Sequence, residues 1–291
     1  LDIRAILMGL AFAMMWSSAF TSARIIVAAA PPISALSLRF LISGLIAIAI
    51  ARFLGQTWRL TALQWRATIV FGICQNALYL GLNFYAMQTV EASLAAIIAS
   101  TMPLLVALLG WMIFQDRLNS LSVMGLLLGF AGVAVIMGNR LQVSGGVDLT
   151  GVALCVIGAA ALALATLAVR GAIAGGNMLM VVGLQMMVGA AALSLIAVTT
   201  ESWYVSWSIE LIMAFAYTTI VPGLLATLVW FWLVDRIGAV RAATFHFLNP
   251  FFGVAVAALL LSEQIGLYDL IGVTVIMVGI LAVQLAKTRG P

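Results

Sequence analysis

The sequence predicts an all-α membrane protein in which ten transmembrane helices form two inverted five-helix repeats. Three observations predict it. Of the 291 residues, 65% are hydrophobic and only 8% are charged, where a soluble domain averages about 25% charged. Ten apolar runs approach the roughly 20 residues that a helix needs to cross a bilayer. One pattern is also written twice at a spacing of 147 residues, pairing Pro103 with Pro250, Asp116 with Glu263, Gly125 with Gly272 and Gly132 with Gly279.

The runs lie near 4–29, 32–54, 63–87, 91–114, 119–137, 150–170, 177–199, 208–234, 238–261 and 267–286, punctuated by charge or by Pro and Gly. The first starts at Arg4 and reaches Ala30 without a clear cleavage site, so a retained helix is expected rather than a signal peptide. The third carries a polar stripe. The fourth holds Pro103 and ends at Asp116, and the fifth spaces Gly125, Gly129 and Gly132 for close helix packing. The eighth is expected to break at Pro222-Gly223. The ninth holds Pro250 and ends at Glu263, and the tenth repeats the glycines as Gly272 and Gly279. Proline removes a backbone hydrogen bond and clashes with the preceding turn. Kinks are therefore expected at Pro103 and Pro250, which are candidate hinges. The division is a first repeat over 1–140, a connection over 141–149 and a second repeat over 150–291.

Basic residues gather in cytoplasmic loops. With the N-terminus inside, Arg4, Arg52, Arg59, Arg66, Arg117, Arg170, Arg236, Arg241, Lys287 and Arg289 share that side, and the far side receives Arg140 alone. The far side also receives Glu91, Asp148, Glu201, Glu210, Glu263 and Asp269. Both termini are therefore expected in the cytoplasm of a bacterial inner membrane. Five helices per half is an odd number, so the second half enters from the opposite side. Duplicated halves of opposite orientation are characteristic of transporters.

These residues carry a family resemblance. Pro103, Phe114-Gln115-Asp116-Arg117 and Gly125, with Pro250, Leu261-Ser262-Glu263-Gln264 and Gly272, resemble the EamA family of the drug/metabolite transporter superfamily. Trp16-Ser17-Ser18-Ala19-Phe20, Arg24 and Arg39-Phe40 are similar to that family's entry segment, which the second half lacks, having Ala163 at the position of Trp16. The aromatic-rich spans look most like the YddG-type amino-acid exporters. The resemblance covers nearly the whole chain and implies outward transport of aromatic and other hydrophobic amino acids.

The candidate substrate-binding residues are Trp16, Gln75, Tyr79, Asn83, His246 and Asn249. Gln75, Tyr79 and Asn83 follow at four-residue spacing and share one helix face, with Asn76 adjacent. Polar groups at membrane depth must be paired or wetted, so the face points inward; interhelical hydrogen bonding is the plainer alternative. Phe12, Trp16 and Phe20 form an aromatic row that serves either packing or a substrate platform. His246, the one histidine, has three options: a bond to a neighbouring helix, contact with substrate, or titration during transport. No second histidine or carboxylate cluster accompanies it, so no metal site is expected, nor any cofactor. Arg24 and Arg39 are expected to snorkel to an interface, with carboxylate binding by Arg24 as the alternative. Cys74 and Cys155 read as inert buried thiols. No carboxylate falls deep in a span, which points to facilitative transport or weak coupling through His246.

Scattered basic residues exclude a nucleic-acid interface. The expected partners are a small-molecule substrate and the bilayer, with a monomer sufficient. Two alternatives remain open: a carrier of cationic drugs or other metabolites, and, remotely, an intramembrane enzyme using Ser17, Ser93 or Ser100 with His246. A channel is disfavoured, because no charged ring or carbonyl filter appears.

Overall fold

The structure, a computed structural model, describes residues 2–115, 118–143, 148–168, 177–237, 242 and 245–288. Its first three spans are α1 (Ile3–Ala29), α2 (Pro32–Phe53) and α3 (Ala62–Ala86). Span α4 has two pieces, Ala92–Ser100 and Met102–Phe114, and is followed by α5 (Ser120–Val143), α6 (Leu149–Ala168) and α7 (Met178–Thr200). Span α8 runs through Ile209–Ile220, Val221–Leu225 and Ala226–Ile237. Then come α9 (Phe245–Leu261) and α10 (Leu267–Thr288). Local chemistry sets several starts: Asp2 accepts from the Ala5 N–H, Thr61 and Gln64 form a capping box, and Ser208 caps α8.

Nine of these helices, among the described residues, are long and apolar enough to cross a membrane, and Phe245–Leu261 is shorter. Its predicted beginning, 238–244, lies outside the described residues except for Ala242. Helix α5 runs on to Val143, beyond its predicted end and into the predicted connection.

The prolines do not kink continuous helices. At Thr101 the chain breaks and a new helix starts with Pro103 in its first turn. In α9 a 3-10 turn, Phe245–Leu248, precedes an α-helix that has Pro250 in its first turn. There the missing N–H has no intrahelical partner to lose, so proline initiates rather than bends. The pieces also end alike: Gln115 and Ser262 both adopt left-handed backbone with φ 55°.

The alternation of the spans is visible in how their ends bond. Glu201, after α7, accepts from Ile33 and Ser34 N–H at the start of α2. Glu263, after α9, accepts from Ala92 and Ser93 N–H at the start of α4, and Thr89, after α3, donates to Asp148 before α6. At the other end Thr57 N–H, after α2, meets Asn177 before α7, and Arg236, late in α8, reaches Asp2. Each bond joins helix ends that lie on one side only if every span crosses.

Helices α5 and α10 show that the halves are inverted. A Cβ on Gly125 would lie 2.7 Å from the Gly279 carbonyl oxygen, and one on Gly132 would lie 2.7 Å from that of Gly272. Gly125 repeats as Gly272 and Gly132 as Gly279. The two contacts are thus one contact seen twice, related by a two-fold axis that makes the helices antiparallel. Only glycine permits backbones this close. Helices α2 and α7 cross at Gly44 and Gly183 in the same reciprocal way, each Cβ position 3.1 Å from the other's carbonyl oxygen.

Burial follows bilayer logic. Ser17, Ser22, Ser37, Ser43, Asn76 and Thr218 are buried, whereas Leu7, Leu45, Leu127, Val198 and Leu259 lie outside. Polar groups pair within the bundle and the apolar surface faces lipid.

Candidate functional site

Two of the spaces bordering α1 lie one beyond the other along it. The wider is a vestibule of about 850 Å³ at the end of the bundle opposite the N-terminus. Its lining includes Arg24, Glu91, Glu210, Glu263 and Asp269. Deeper sits a cavity of about 40 Å³ bounded by Trp16, Phe20, Arg39, Tyr79, Asn83 and Pro222, among others. Arg24 lines the vestibule, Met87 lines the cavity, and the Arg24 guanidinium donates to the Met87 carbonyl. That contact belongs to the wall between the two spaces.

The cavity walls depart from regular α-helix. Residues Gly72–Tyr79 of α3 are π-helical, and so are Val221–Leu225 of α8, within the stretch related to the first by the repeat spacing. Such segments widen a helix locally and recur at functional sites. Pro222 has no N–H for the Thr218 carbonyl four residues earlier. Arg39 Nε donates to that carbonyl at 3.2 Å.

Of the candidate residues, Trp16, Tyr79 and Asn83 line this one cavity, with Tyr79 2% and Asn83 1% exposed. Asn83 Nδ2 donates to the Tyr79 carbonyl at 2.8 Å, while its buried Oδ1 has no partner among the described residues. Gln75 is half-buried and does not line the cavity. Its neighbour Asn76 donates to the Gln185 carbonyl at 2.9 Å and ties α3 to α7.

His246 and Asn249 are brought together elsewhere, Nδ1 and Nδ2 lying 3.0 Å apart. His246 packs edge-on against Phe12 with centroids 5.3 Å apart, and Trp230 lies 4.8 Å from Phe12. The Phe245 ring sits over Gly9, and Phe12 reaches Trp16 at 5.8 Å. These rings close the bundle on the N-terminal side of the cavity. Beyond them Arg236 binds Asp2 and holds its carboxyl below the usual carboxylate range. Ser17 donates to the Asn249 carbonyl at 3.1 Å, which ties α1 to α9.

Arg39 is where the structure overturns the sequence expectation. It does not snorkel: it is 6% exposed and borders the cavity. An arginine at the centre of a transmembrane helix costs about 2.5–3.5 kcal/mol on insertion scales. A detectable signal was its spacing from Ser43: four residues apart, they share one face, and Ser43 donates to the Thr219 carbonyl at 3.3 Å. Among the described residues no group of three or more His, Cys, Asp or Glu could hold a metal ion.

A multi-pass helical membrane protein of inverted halves, with a vestibule at one end and a plug at the other, has the form of a transporter. The EamA-like transporter family model matches residues 3–138 and 149–285, and the chain belongs to that family. It is a transporter and not an enzyme. "Uncharacterized transporter YvbV" of Bacillus subtilis (strain 168) is 27% identical over 93% of this chain and 88% of its own length. "Uncharacterized transporter sll0355" of Synechocystis sp. is 22% identical over 96% and 89% respectively. A crystal structure sharing 20% identity superposes with a TM-score of 0.69 over 100% of both chains and shows the same fold.

Proposed function

We propose that the protein exports small amphipathic organic solutes, foremost aromatic and other hydrophobic amino acids, by alternating access through the cavity between α1, α3 and α8. The observation that carries this reading is the series of spaces along α1: vestibule, thin wall, cavity, aromatic plug. Trp16, Phe20 and Phe84 offer the cavity apolar surface, and Tyr79 and Asn83 offer it polar groups. The hinges are the breaks before Pro103 and Pro250, each leaving a short helix free to tilt against its neighbour. The arginine distribution supports a bacterial inner membrane with both termini cytoplasmic, so the vestibule faces outward. A second reading, export of cationic drugs, draws support from the carboxylates of Glu91, Glu210, Glu263 and Asp269 around the vestibule.

Counterflow in proteoliposomes tests the proposal. Internal phenylalanine should drive uptake of labelled phenylalanine without an imposed pH gradient, and uptake should saturate. Tyr79→Ala and Asn83→Ala should each reduce it by about tenfold or more, the worth of one lost buried hydrogen bond to a charged group. Undiminished uptake by both variants at matched protein levels would move the site elsewhere. Uptake of cationic drugs alone would favour the second reading.

A further inference from the structure

We propose that Arg39 is the anchor for an anionic group on the substrate, a carboxylate, and that the transported class is therefore zwitterions and monocarboxylates with an apolar body. This deepens the proposed function and rests on the cavity being the transport site.

Arginine keeps its charge in any protein environment. In this chain it is buried at 6% exposure, yet among the described residues its only hydrogen bond is from Nε to the Thr218 carbonyl. The same residues place no carboxylate in an ion pair with it. The Phe40 ring, 5.1 Å from the guanidinium carbon, offers only a weak π contact. Nη2 lies 3.6 Å from the point where a Cβ on Gly223 would stand, so the glycine leaves the end of the guanidinium uncovered. Among the described residues both terminal nitrogens therefore lack an acceptor, whereas the buried Ser17, Ser37, Ser43 and Thr218 hydroxyls are all hydrogen-bonded.

A carboxylate fits the Arg39 guanidinium in charge and shape, because its two oxygens match the planar fork. The cavity holds a second unmet demand of opposite kind. Asn83 Oδ1 is buried and accepts no hydrogen bond among the described residues. It would accept from an ammonium or amide N–H on the same ligand. A guanidinium fork that donates and a carboxamide oxygen that accepts, on two residues lining one space of about 40 Å³, are complementary to the polar end of an amino acid. That volume receives the polar end only. The apolar body needs the room gained when the Arg24–Met87 contact releases and the cavity joins the vestibule.

The test uses purified full-length protein and four probes sharing one ring: phenylalanine, 3-phenylpropionate, phenethylamine and phenylphosphonate. Binding is read as ligand-induced thermal stabilisation and by equilibrium dialysis of labelled probe. Phenylalanine and 3-phenylpropionate should bind the wild-type protein at least about tenfold more tightly than phenethylamine. Arg39→Gln should lose that preference, and Arg39→Lys should keep part of it. Asn83→Asp, which places a carboxylate inside the cavity, should remove binding of 3-phenylpropionate even if Arg39→Gln does not fold. Phenylphosphonate binding above that of both carboxylates would assign the anchor to phosphonates and overturn the carboxylate assignment. Wild-type preference for phenethylamine, or carboxylate binding unchanged in Arg39→Gln or Asn83→Asp, would overturn the proposal. Carboxylates that bind through Arg39 without any counterflow would leave the anchor standing and remove the transport reading. Counterflow indifferent to Arg39 would do the reverse.

Discussion

At the scale of single residues, the acids at the span ends act on neighbouring helices. Glu263 satisfies two N–H groups that begin α4, and Glu201 does the same for α2, with the Ser34 hydroxyl added. The first N–H groups of a helix have no internal acceptor, and a carboxylate there also meets the positive end of the helix dipole. Glu263→Gln keeps one acceptor and loses the charge, so it should cost about 1 kcal/mol. Thermal melting in detergent reads this as a small drop in midpoint. A midpoint equal to wild type would mean the cap carries no stability. Pairing of Glu263 with Asp116 was legible in the sequence, because it rests on spacing alone. The partner it caps was not, since 171 residues separate Ala92 from Glu263. Asp116 itself lies outside the described residues. Arg39 was misjudged for a related reason: depth within a span is countable, but the groups facing it come from α8.

At the scale of elements, the two π segments shape the cavity, each giving it a wall residue, Tyr79 and Pro222. Pro222 denies Thr218 its helical donor, and Arg39 supplies one. Pro222→Ala restores the competing N–H, and with it the regular helix. The variant should melt higher than wild type and transport more slowly, the usual exchange when a strained functional element is relaxed. Counterflow rates beside melting curves check both halves of that expectation; unchanged transport would make the π segment incidental. The sequence placed the irregularity of α8 at Pro222-Gly223 because proline chemistry is local, but the expected break is a π segment through which the helix runs on. It disclosed nothing of the matching π segment in α3, where no proline stands and packing against α7 and α6 sets the geometry. Glycine behaves in between. The recurrence of Gly125 and Gly132 as Gly272 and Gly279 announces close packing, but which glycine meets which emerges only from the crossing.

At the scale of the whole molecule, the two ends differ. One is open over Arg24 and Glu91, and the other is shut by Phe12, Trp230 and His246 with the Asp2–Arg236 pair beyond. Asp2 titrates below its ordinary range because Arg236 bonds to it. A depressed carboxylate contributes above its unfolded value and loses that contribution as the pH falls through the folded one. The shut end should therefore be insensitive to pH between 5 and 8 and loosen only in stronger acid. Asp2→Asn should loosen it at neutral pH. With Cys74 and Cys155 replaced by Ala, Ala5→Cys, a position buried at that end, should then react faster with a thiol reagent applied at the N-terminal side. Equal labelling in both proteins would show that the rings alone hold that end. Helix count, inversion and charge bias were all legible beforehand, because hydropathy and parity need no tertiary information. Which end stands open was not, since it depends on packing between distant helices.

The self-matching glycine contact between α5 and α10 has a consequence for motion. An axis that carries one half onto the other also carries the open mouth onto the shut one. The molecule therefore holds two settings of the same five-helix unit side by side. Exchange the settings and the mouths trade places while the glycine seam maps onto itself, with no new packing to invent along it. Under the proposed alternating access, the second conformation is the first read from the other end of the chain.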